Sequence, residues 1–258
     1  MGNGLGSIFS TSKRTGSNTR PIPQGVFVFK LPTRPARDSY YYLQPMDTPT
    51  NRQRILDAFA EHLRENGQPP VSIYRFTKDL GLSEKDFFQE FPSLESVESV
   101  WWSALIDRVV QAVESGAEWG SFTARQRLLT FFFAWFEEAL SVRSLIIQRF
   151  KPLGVLKNDH ALKGFNHSFR DFARKVIDQG VTSGEIASRG KLINLYPDAL
   201  FTAFRSLIDF NLKDESPRFE RTDAYIEKSV HLAFELIRTQ AIDSAVDLVR
   251  FLIPEIRR

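Results

Sequence analysis

The stretch that decides the fold is GLSEKDFFQEFPSLESV, residues 81–97. Gly81 supplies a turn, and Ser83 is a suitable N-cap for the helix that follows it. Asp86 stands three residues after that serine, which makes a variant of the capping box. Pro92 then ends the helix, since proline has no backbone N–H to donate. The stretch therefore predicts a short helix with a turn on either side.

The residues before this stretch predict two more helices, so that three helices form a small head. Thr48 or Thr50 caps the first helix, which runs to about Asn66 and ends at Gly67. Ser72 starts the second helix. The helices have apolar faces, formed by Ile55, Leu56, Phe59, Leu63, Ile73, Phe76 and Leu80. Two short helices that meet around a glycine have the layout of a helix-turn-helix.

The rest of the chain after Met46 is predicted to be helical, because no segment keeps the period of two that a half-buried strand shows. Further helices are expected at about 94–116, 122–140, 142–150, 159–182, 191–212, 219–239 and 241–253. The predicted fold class is therefore all-α, with a helix-turn-helix head, a larger helical bundle and about nine to ten helices in total.

The chain is expected to have three parts. Residues 1–47 are predicted to be a basic, flexible and largely irregular tail, because their first half is rich in Gly, Ser, Thr, Asn and Pro. Residues 48–97 form the head, and residues 98–258 form a helical domain for ligand binding and dimerisation. An alternative is that translation starts at Met46, so that the upstream segment is not part of the functional protein.

The composition excludes several classes of protein. With no cysteine, the chain has no disulfide, no thiolate metal site and no cysteine nucleophile. No run approaches the roughly 18 apolar residues of a membrane span, and no signal-peptide pattern is present, so we expect a cytoplasmic protein. Since no catalytic triad, phosphate loop or paired-carboxylate motif occurs, we expect no enzyme, no catalytic residue, no cofactor and no metal site.

A set of residues in the head carries a resemblance to a known family. They are IleLeuAspAla at 55–58, Phe59, Gly67, Ser72, LeuGlyLeuSer at 80–83, Phe87, Phe88, Phe91 and Pro92. With this spacing the chain resembles TetR/AcrR-type transcriptional regulators, and GlyGluIle at 184–186 is also similar to members of that family. The resemblance implies a head that reads DNA and a bundle that binds an apolar effector and dimerises through its last two long helices.

The resemblance also implies which residues meet double-stranded DNA. Those expected to face it are Ser83, Lys85, Phe88 and Gln89, with Arg52 and Arg54 on phosphates. The charge of the head opposes this function, because residues 49–100 hold six basic and nine acidic side chains, whereas phosphate neutralisation supplies much of the affinity for DNA. Asp86 and Glu90, one turn apart, are both expected to face the groove. Residues 1–45, with a net charge of +5, offset part of the deficit.

Two functions therefore remain open. The first is a TetR-like DNA-binding regulator that releases DNA when an apolar small molecule or lipid occupies the bundle. The alternative is a protein of the same fold that binds a lipid or isoprenoid, or acts as a scaffold, and whose head does not bind DNA. The acidic head favours this alternative.

Aromatic side chains of the bundle are candidates for an effector site. PhePhePheAlaTrpPhe at 131–136 places aromatic rings at i, i+4 spacing on one helix. The predicted ligand-binding residues are Trp101, Phe131, Trp135, Phe201, Phe204 and Arg205. Arg205 is included because a cation in a largely apolar helix needs a carboxylate, such as Asp209, or a bound anion. The alternative for the aromatic residues is plain core packing.

A stripe on the penultimate helix is predicted to pack across a two-fold axis. Its residues are Tyr225, Ile226, Ser229, Val230, Ala233, Phe234 and Ile237. We therefore expect a homodimer through the helices at 191–212 and 219–239, with the last helix extending the surface. The alternative is that the stripe packs within one chain.

Overall fold

The structure is a computed structural model, and it describes residues 49–150, 159–188 and 190–238. The tail predicted over residues 1–47, with Met46, and the last helix predicted at 241–253 lie outside the described residues. The described ranges comprise the head and the bundle helices up to the one that ends at Arg238.

The described residues form nine α-helices and no strand, which confirms the all-α fold class. The helices are α1 (Asn51–Asn66), α2 (Ile73–Asp79), α3 (Glu84–Glu90), α4 (Leu94–Glu114), α5 (Ala124–Leu140), α6 (Arg143–Phe150), α7 (Lys163–Thr182), α8 (Tyr196–Leu212) and α9 (Glu220–Arg238). The helix expected from residue 191 begins only at Tyr196, after a 3₁₀ turn over Gly190–Leu195. Pro197 lies in its first turn, where a proline is tolerated.

Local capping determines where the helices of the head begin and end. Thr50 accepts a hydrogen bond from the Gln53 N–H at the start of α1, and Gly67 ends this helix in the left-handed region with φ of 71°. Ser83 and Asp86 form the predicted capping box at the start of α3. The apolar faces of the three helices bury Ile55, Phe59, Leu63, Phe76, Phe87 and Phe91.

α4 follows the head and runs closely beside α7. A Cβ added to Gly164 of α7 would stand 2.1 Å from the carbonyl oxygen of Ser99 on α4. The Gly164 N–H donates to the Ser99 hydroxyl at 2.8 Å, and the hydroxyls of Ser103 and Ser168 are 2.8 Å apart. Small side chains therefore allow α4 and α7 to pack with little separation, and hydrogen bonds hold their register.

The GlyGluIle motif at 184–186 joins the end of α7 to the start of α5. The Glu185 carboxylate accepts hydrogen bonds from the N–H groups of Ala124, at 2.6 Å, and Arg125, at 3.1 Å. A negative charge at a helix N-terminus is favourable because the helix dipole is positive there. Gly184 supplies the left-handed turn, with φ of 78°, that brings the carboxylate to α5.

A buried carboxylate stabilises the segment that connects α8 to α9. Asp214 is 6% exposed and accepts hydrogen bonds from the N–H groups of Ser216 and Thr222 and from the Thr222 hydroxyl. Burial alone raises the pKa of Asp214, but these hydrogen bonds outweigh burial and lower it to about 2. Arg143 of α6 donates to the side chain and the carbonyl of Asn211, which fixes the end of α8.

The stripe on α9 that was predicted to form a dimer interface is packed inside the single chain, so the prediction was wrong for its central residues. Ile226, Val230, Phe234 and Ile237 are each at most 8% exposed, and α9 contacts α5 and α8. An amphipathic helix turns its apolar face toward the core of its own bundle. The outward face of α9 instead carries Leu232, which is 59% exposed.

Candidate nucleic-acid interface and effector site

The exposed face of α3 presents side chains of mixed chemistry. Lys85, Phe88 and Gln89, three of the residues predicted to face DNA, are exposed on it together. Phe88 is 54% exposed, whereas its neighbour Phe87 is fully buried. Phe87 meets Phe76 of α2 edge to face, with ring centroids 6.5 Å apart. The buried ring therefore anchors α3 on the head and leaves the opposite face available to a partner.

Ser83 and Asp86 are engaged with each other at the start of α3. The Ser83 N–H and hydroxyl donate to the Asp86 carboxylate at 2.9 and 2.6 Å, and the Asp86 N–H donates to the Ser83 oxygen at 3.1 Å. The hydrogen bonds from the side chain and backbone of Ser83 lower the pKa of Asp86. The carboxylate that the sequence places toward the groove is therefore a helix cap, held at the positive end of the helix dipole.

Two other acids counted in the head also have cationic partners. The Glu90 carboxylate lies 4.0 Å from the Arg52 guanidinium. Glu98, at the start of α4, is 2% exposed and lies 2.5 Å from the guanidinium of Arg149 on α6. Arg149 lies outside residues 49–100 and therefore offsets one acid of the count made from the sequence, whereas Arg52 is already included in that count.

The two arginines predicted to contact phosphates bind the head itself. The Arg54 guanidinium donates to the Leu80 carbonyl at 2.7 Å. The Arg52 guanidinium donates to the Glu90 carbonyl at 3.1 Å and lies 4.5 Å from the centroid of the Phe91 ring. Both side chains therefore hold α1 against the C-terminal ends of α2 and α3.

Two exposed cations of α2 were not among the residues predicted to contact DNA. Arg75 and Lys78 are exposed on the helix that precedes the turn. Their spacing of three residues places them on one helix face, away from the buried Phe76. The spacing of Arg75 and Lys78 in the sequence therefore indicates that both cations lie on the outer surface of the head.

Four predicted ligand-binding residues lie in one cluster of aromatic rings. They are Phe131, Trp135, Phe201 and Phe204, all buried. The ring centroid of Phe204 lies 5.3 Å from that of Trp135 and 4.6 Å from that of Phe169. Phe165 and Phe169 of α7 complete the cluster. They were not predicted, although their spacing of four residues is typical of one helix face.

Trp101 lies outside the centre of this cluster. It is half-buried and meets Trp102 edge to face, with ring centroids 4.8 Å apart. Trp102 is fully buried and lies 6.4 Å from Phe165. Because one residue along a helix rotates the side chain by about 100°, adjacent tryptophans of α4 face different surroundings.

Arg205 of α8 is buried at the edge of the cluster. It is 2% exposed, and its guanidinium carbon lies 5.1 Å from the centroid of the Phe150 ring. Burial lowers the pKa of Arg205, and the charge of Asp209 one turn later opposes that shift. The structure therefore places a guanidinium against aromatic carbon in the interior of the bundle.

Comparisons with known proteins agree with this architecture. Residues 127–252 match the family model described as tetracyclin repressor-like, C-terminal domain. A putative tetR family transcription regulator from Shewanella sp. PV-4 is similar in structure, with a TM-score of 0.52 and 18% identity over 73% of this chain and 98% of the other. A protein of unknown function from Rhodococcus sp. RHA1 has a TM-score of 0.50 and 16% identity over 76% of this chain and all of the other. At such identities the likeness concerns the fold.

Two further findings are negative. No protein of curated function is significantly similar in sequence. Within the described residues, no helix combines the length and the apolar character that a bilayer span requires.

Proposed function

This chain is TetR-type in its fold and in its C-terminal domain, and from that premise we propose that it is a DNA-binding transcriptional regulator that responds to an apolar small molecule. The observation that carries the proposal is the exposed face of α3. Lys85, Phe88 and Gln89 are exposed there, while Asp86 is held by the helix cap and Glu90 lies beside Arg52. In a helix-turn-helix, which α2 and α3 form here, the second helix enters the major groove and reads base edges.

The three exposed side chains of α3 suit different contacts in the groove. Gln89 can donate to and accept from an adenine edge, Phe88 can contact a thymine methyl group, and Lys85 can donate to guanine or to a phosphate. The exposed cations Arg75 and Lys78 of α2 suit phosphate contacts, which fix register and orientation without reading sequence.

The remaining predicted DNA-binding residues support the reading helix. Ser83 caps α3, and Arg52 and Arg54 hold α1 against α2 and α3. A guanidinium has five N–H donors, so each arginine keeps donors for a phosphate beside the bonds it makes within the head. We therefore assign these three residues to positioning, with phosphate contact by the two arginines as a second role.

The effector acts, in this proposal, on the aromatic cluster of the bundle. α7 supplies Phe165 and Phe169 to the cluster and packs against α4 through Gly164 and Ser99. An effector that separates the rings of α7 and α8 displaces α7 and, through this close contact, α4. Because α4 follows the head directly, the displacement changes the spacing of the two heads of a dimer, which must match major grooves about 34 Å apart.

Dimerisation is proposed to use the outward faces of α8 and α9. Leu232 of α9 and Leu195, directly before α8, are 59% and 60% exposed. Exposed apolar side chains such as these, one on α9 and one directly before α8, suit the core of an isologous interface. The buried stripe of α9 then serves the fold of each protomer, and the opposite face serves assembly.

The test is binding of the full chain to a random-sequence duplex at several salt concentrations, measured by fluorescence anisotropy. A protein that neutralises several phosphates loses affinity steeply, because log K falls linearly with log salt concentration. The proposal predicts such a slope. Absence of binding even at about 50 mM salt would end the DNA-binding assignment.

A lipid-binding or scaffolding role without DNA binding is the second candidate. The observation that favours it is the acidic surplus of residues 49–100, with nine acidic and six basic side chains. Mass spectrometry of an organic extract of the purified protein tests this role. A stoichiometric lipid in a protein with no affinity for DNA supports it, and affinity for DNA in lipid-free protein excludes it.

A further inference from the structure

The first residue of α3 carries a carboxylate without a partner among the described residues. Glu84 is exposed, and its side chain makes no hydrogen bond or ion pair within the described part of the chain. The other two acids of α3 are engaged, since Asp86 caps the helix and Glu90 lies beside Arg52. Glu84 is therefore the acid of α3 that stays open to a partner outside the described residues.

An exposed aromatic ring lies one turn after this carboxylate. Phe88 neighbours Glu84 on the surface of α3, because side chains four residues apart on a helix lie on one face. Its ring is 54% exposed and meets the buried ring of Phe87 edge to face, with centroids 5.5 Å apart. The contact with Phe87 limits rotation of the exposed ring, so little side-chain entropy is lost when a partner binds. Glu84 and Phe88 therefore present a hydrogen-bond acceptor and an apolar surface side by side.

The major groove offers few partners for such a pair of side chains. A carboxylate accepts from the N4 amino group of cytosine, whereas the O4 atom of thymine and the O6 and N7 atoms of guanine are acceptors that repel it. The apolar group that the groove displays is the methyl group at C5 of thymine. In a pyrimidine ring, C4 and C5 are bonded neighbours. A cytosine that carries a C5-methyl group therefore places the amino donor and the apolar group next to each other.

We propose that α3 recognises 5-methylcytosine, with the Glu84 carboxylate accepting from the N4 amino group and the Phe88 ring contacting the C5-methyl group. This inference deepens the proposed DNA binding and rests on it. Residues at the beginning of a recognition helix contact base edges, and both side chains belong to the first five residues of α3. Cytosine lacks the apolar contact, and thymine lacks the amino donor. The helix therefore distinguishes methylated DNA from unmethylated DNA of the same sequence.

The test uses the full chain and two random-sequence duplex libraries, one synthesised with cytosine and one with 5-methylcytosine in its place. Enriched sequences are then made singly with 5-methylcytosine, cytosine or thymine at each position in turn, and fluorescence anisotropy measures their dissociation constants. We expect one position at which 5-methylcytosine binds about fourfold more tightly than cytosine, which corresponds to burial of one methyl group. Thymine at this position should bind at least about fivefold more weakly than 5-methylcytosine, because the carboxylate then faces an acceptor.

Two variants separate the contributions of the two side chains. Phe88→Ala should remove the preference for 5-methylcytosine over cytosine and keep the discrimination against thymine. Glu84→Gln should keep the preference for the methyl group and lose most of the discrimination against thymine, because an amide also donates. Tyr74→Ala removes another exposed ring of the head and Glu65→Gln another exposed acid, and neither control should change the order of the three bases. Circular dichroism checks the folding of each variant, and the comparison in the unaltered chain decides the question if a variant does not fold.

The outcomes separate this inference from the proposal on which it rests. Equal affinity for 5-methylcytosine and cytosine at every position overturns the inference and leaves DNA binding standing. Tighter binding of thymine than of 5-methylcytosine at the position that depends on Phe88 also overturns it, because Glu84 then reads no amino group. Failure to bind any duplex, even at about 50 mM salt, overturns both the inference and the proposed function.

Discussion

Arg149 of α6 donates to both carboxylate oxygens of Glu98 on α4, from Nε at 2.5 Å and from Nη2 at 3.2 Å. Glu98 is 2% exposed and also accepts from the Trp102 indole N–H at 3.1 Å. The same guanidinium reaches Asp159, shortly before α7, at 3.4 Å. One arginine therefore joins the N-terminal part of α4, which follows the head, to the elements that carry the aromatic cluster.

Removal of this arginine is expected to destabilise the chain strongly. Arg149→Met leaves the Glu98 carboxylate buried without its cation, which typically costs about 3–5 kcal/mol, and urea denaturation measures the change. The control is Arg174→Met, because Arg174 pairs with Asp171 at the surface and such a pair contributes about 0–1 kcal/mol. The double variant Arg149→Met with Glu98→Gln should recover part of the loss. Equal costs for Arg149→Met and its control would contradict this prediction.

The close contact of α4 and α7 predicts that even one added methyl group is harmful. Gly164→Ala forces the helices apart, because the new Cβ would meet the Ser99 carbonyl at 2.1 Å, and we expect a loss of about 2 kcal/mol or more. Gly120→Ala is the matched control, since nothing lies within 4 Å of a Cβ at that position. Thermal unfolding of both variants checks this, and a Tm for Gly164→Ala equal to that of the control would refute it.

The Asp214 carboxylate predicts an acid-sensitive contribution to stability. Its pKa is lowered from 3.8 to about 2 in the folded chain, so its ionised form favours folding above pH 3.8, and this contribution is lost as the pH falls toward 2. The shift corresponds to about 2 kcal/mol at neutral pH. Asp214→Asn is therefore less stable at pH 7 and has a flatter stability profile between pH values of about 4 and 2.

Urea titrations at several pH values measure this effect. Asp178→Asn serves as control, because Asp178 is exposed on α7. The two variants should differ at pH 7 and converge in acid. A profile for Asp214→Asn that keeps the full slope of the unaltered chain would show that another group causes the acid sensitivity.

Two residues of α3 are expected to affect DNA binding differently. Lys85→Ala should reduce the salt slope of log K by about one if Lys85 contacts a phosphate. Gln89→Ala should leave that slope unchanged and relax the preference for one base pair, at a cost of about 1–3 kcal/mol on the preferred site. Lys175→Ala, on the exposed side of α7, is the control for lost charge. Identical behaviour of all three variants would argue against α3 as the reading helix.

The outward face of α9 predicts the oligomeric state of a variant. Leu232→Glu places a charge in the proposed interface, where it is desolvated without a partner, so a dimer should dissociate to monomers. Size-exclusion chromatography with light scattering measures the mass. Lys228→Glu, one turn earlier and also exposed, tests whether any change of charge on this face is enough to dissociate the dimer. If the Leu232→Glu protein remains dimeric, Leu232 does not lie in the dimer interface.

Local signals in the sequence predicted most of the helical architecture. The capping box of Ser83 and Asp86 is present as expected, and the helix predicted at 122–140 is observed at Ala124–Leu140. These features depend on residues three or four positions apart, so the chain itself contains the information. The TetR-type resemblance likewise rests on particular residues of the sequence, from Ile55 to Pro92 in the head and GlyGluIle at 184–186 in the bundle.

The amino-acid sequence by itself determined which faces of the helices are apolar, where most of the helices begin and end, and that the fold is all-α. Only the tertiary structure decided what covers each face and what neutralises each charge. Glu98 counts as an acid of the head, yet its cation Arg149 stands 51 residues later, and the stripe of α9 around Val230 is covered by α5 and α8 of the same chain. Periodicity is a property of one helix, whereas burial and ion pairing are properties of helices that meet in space.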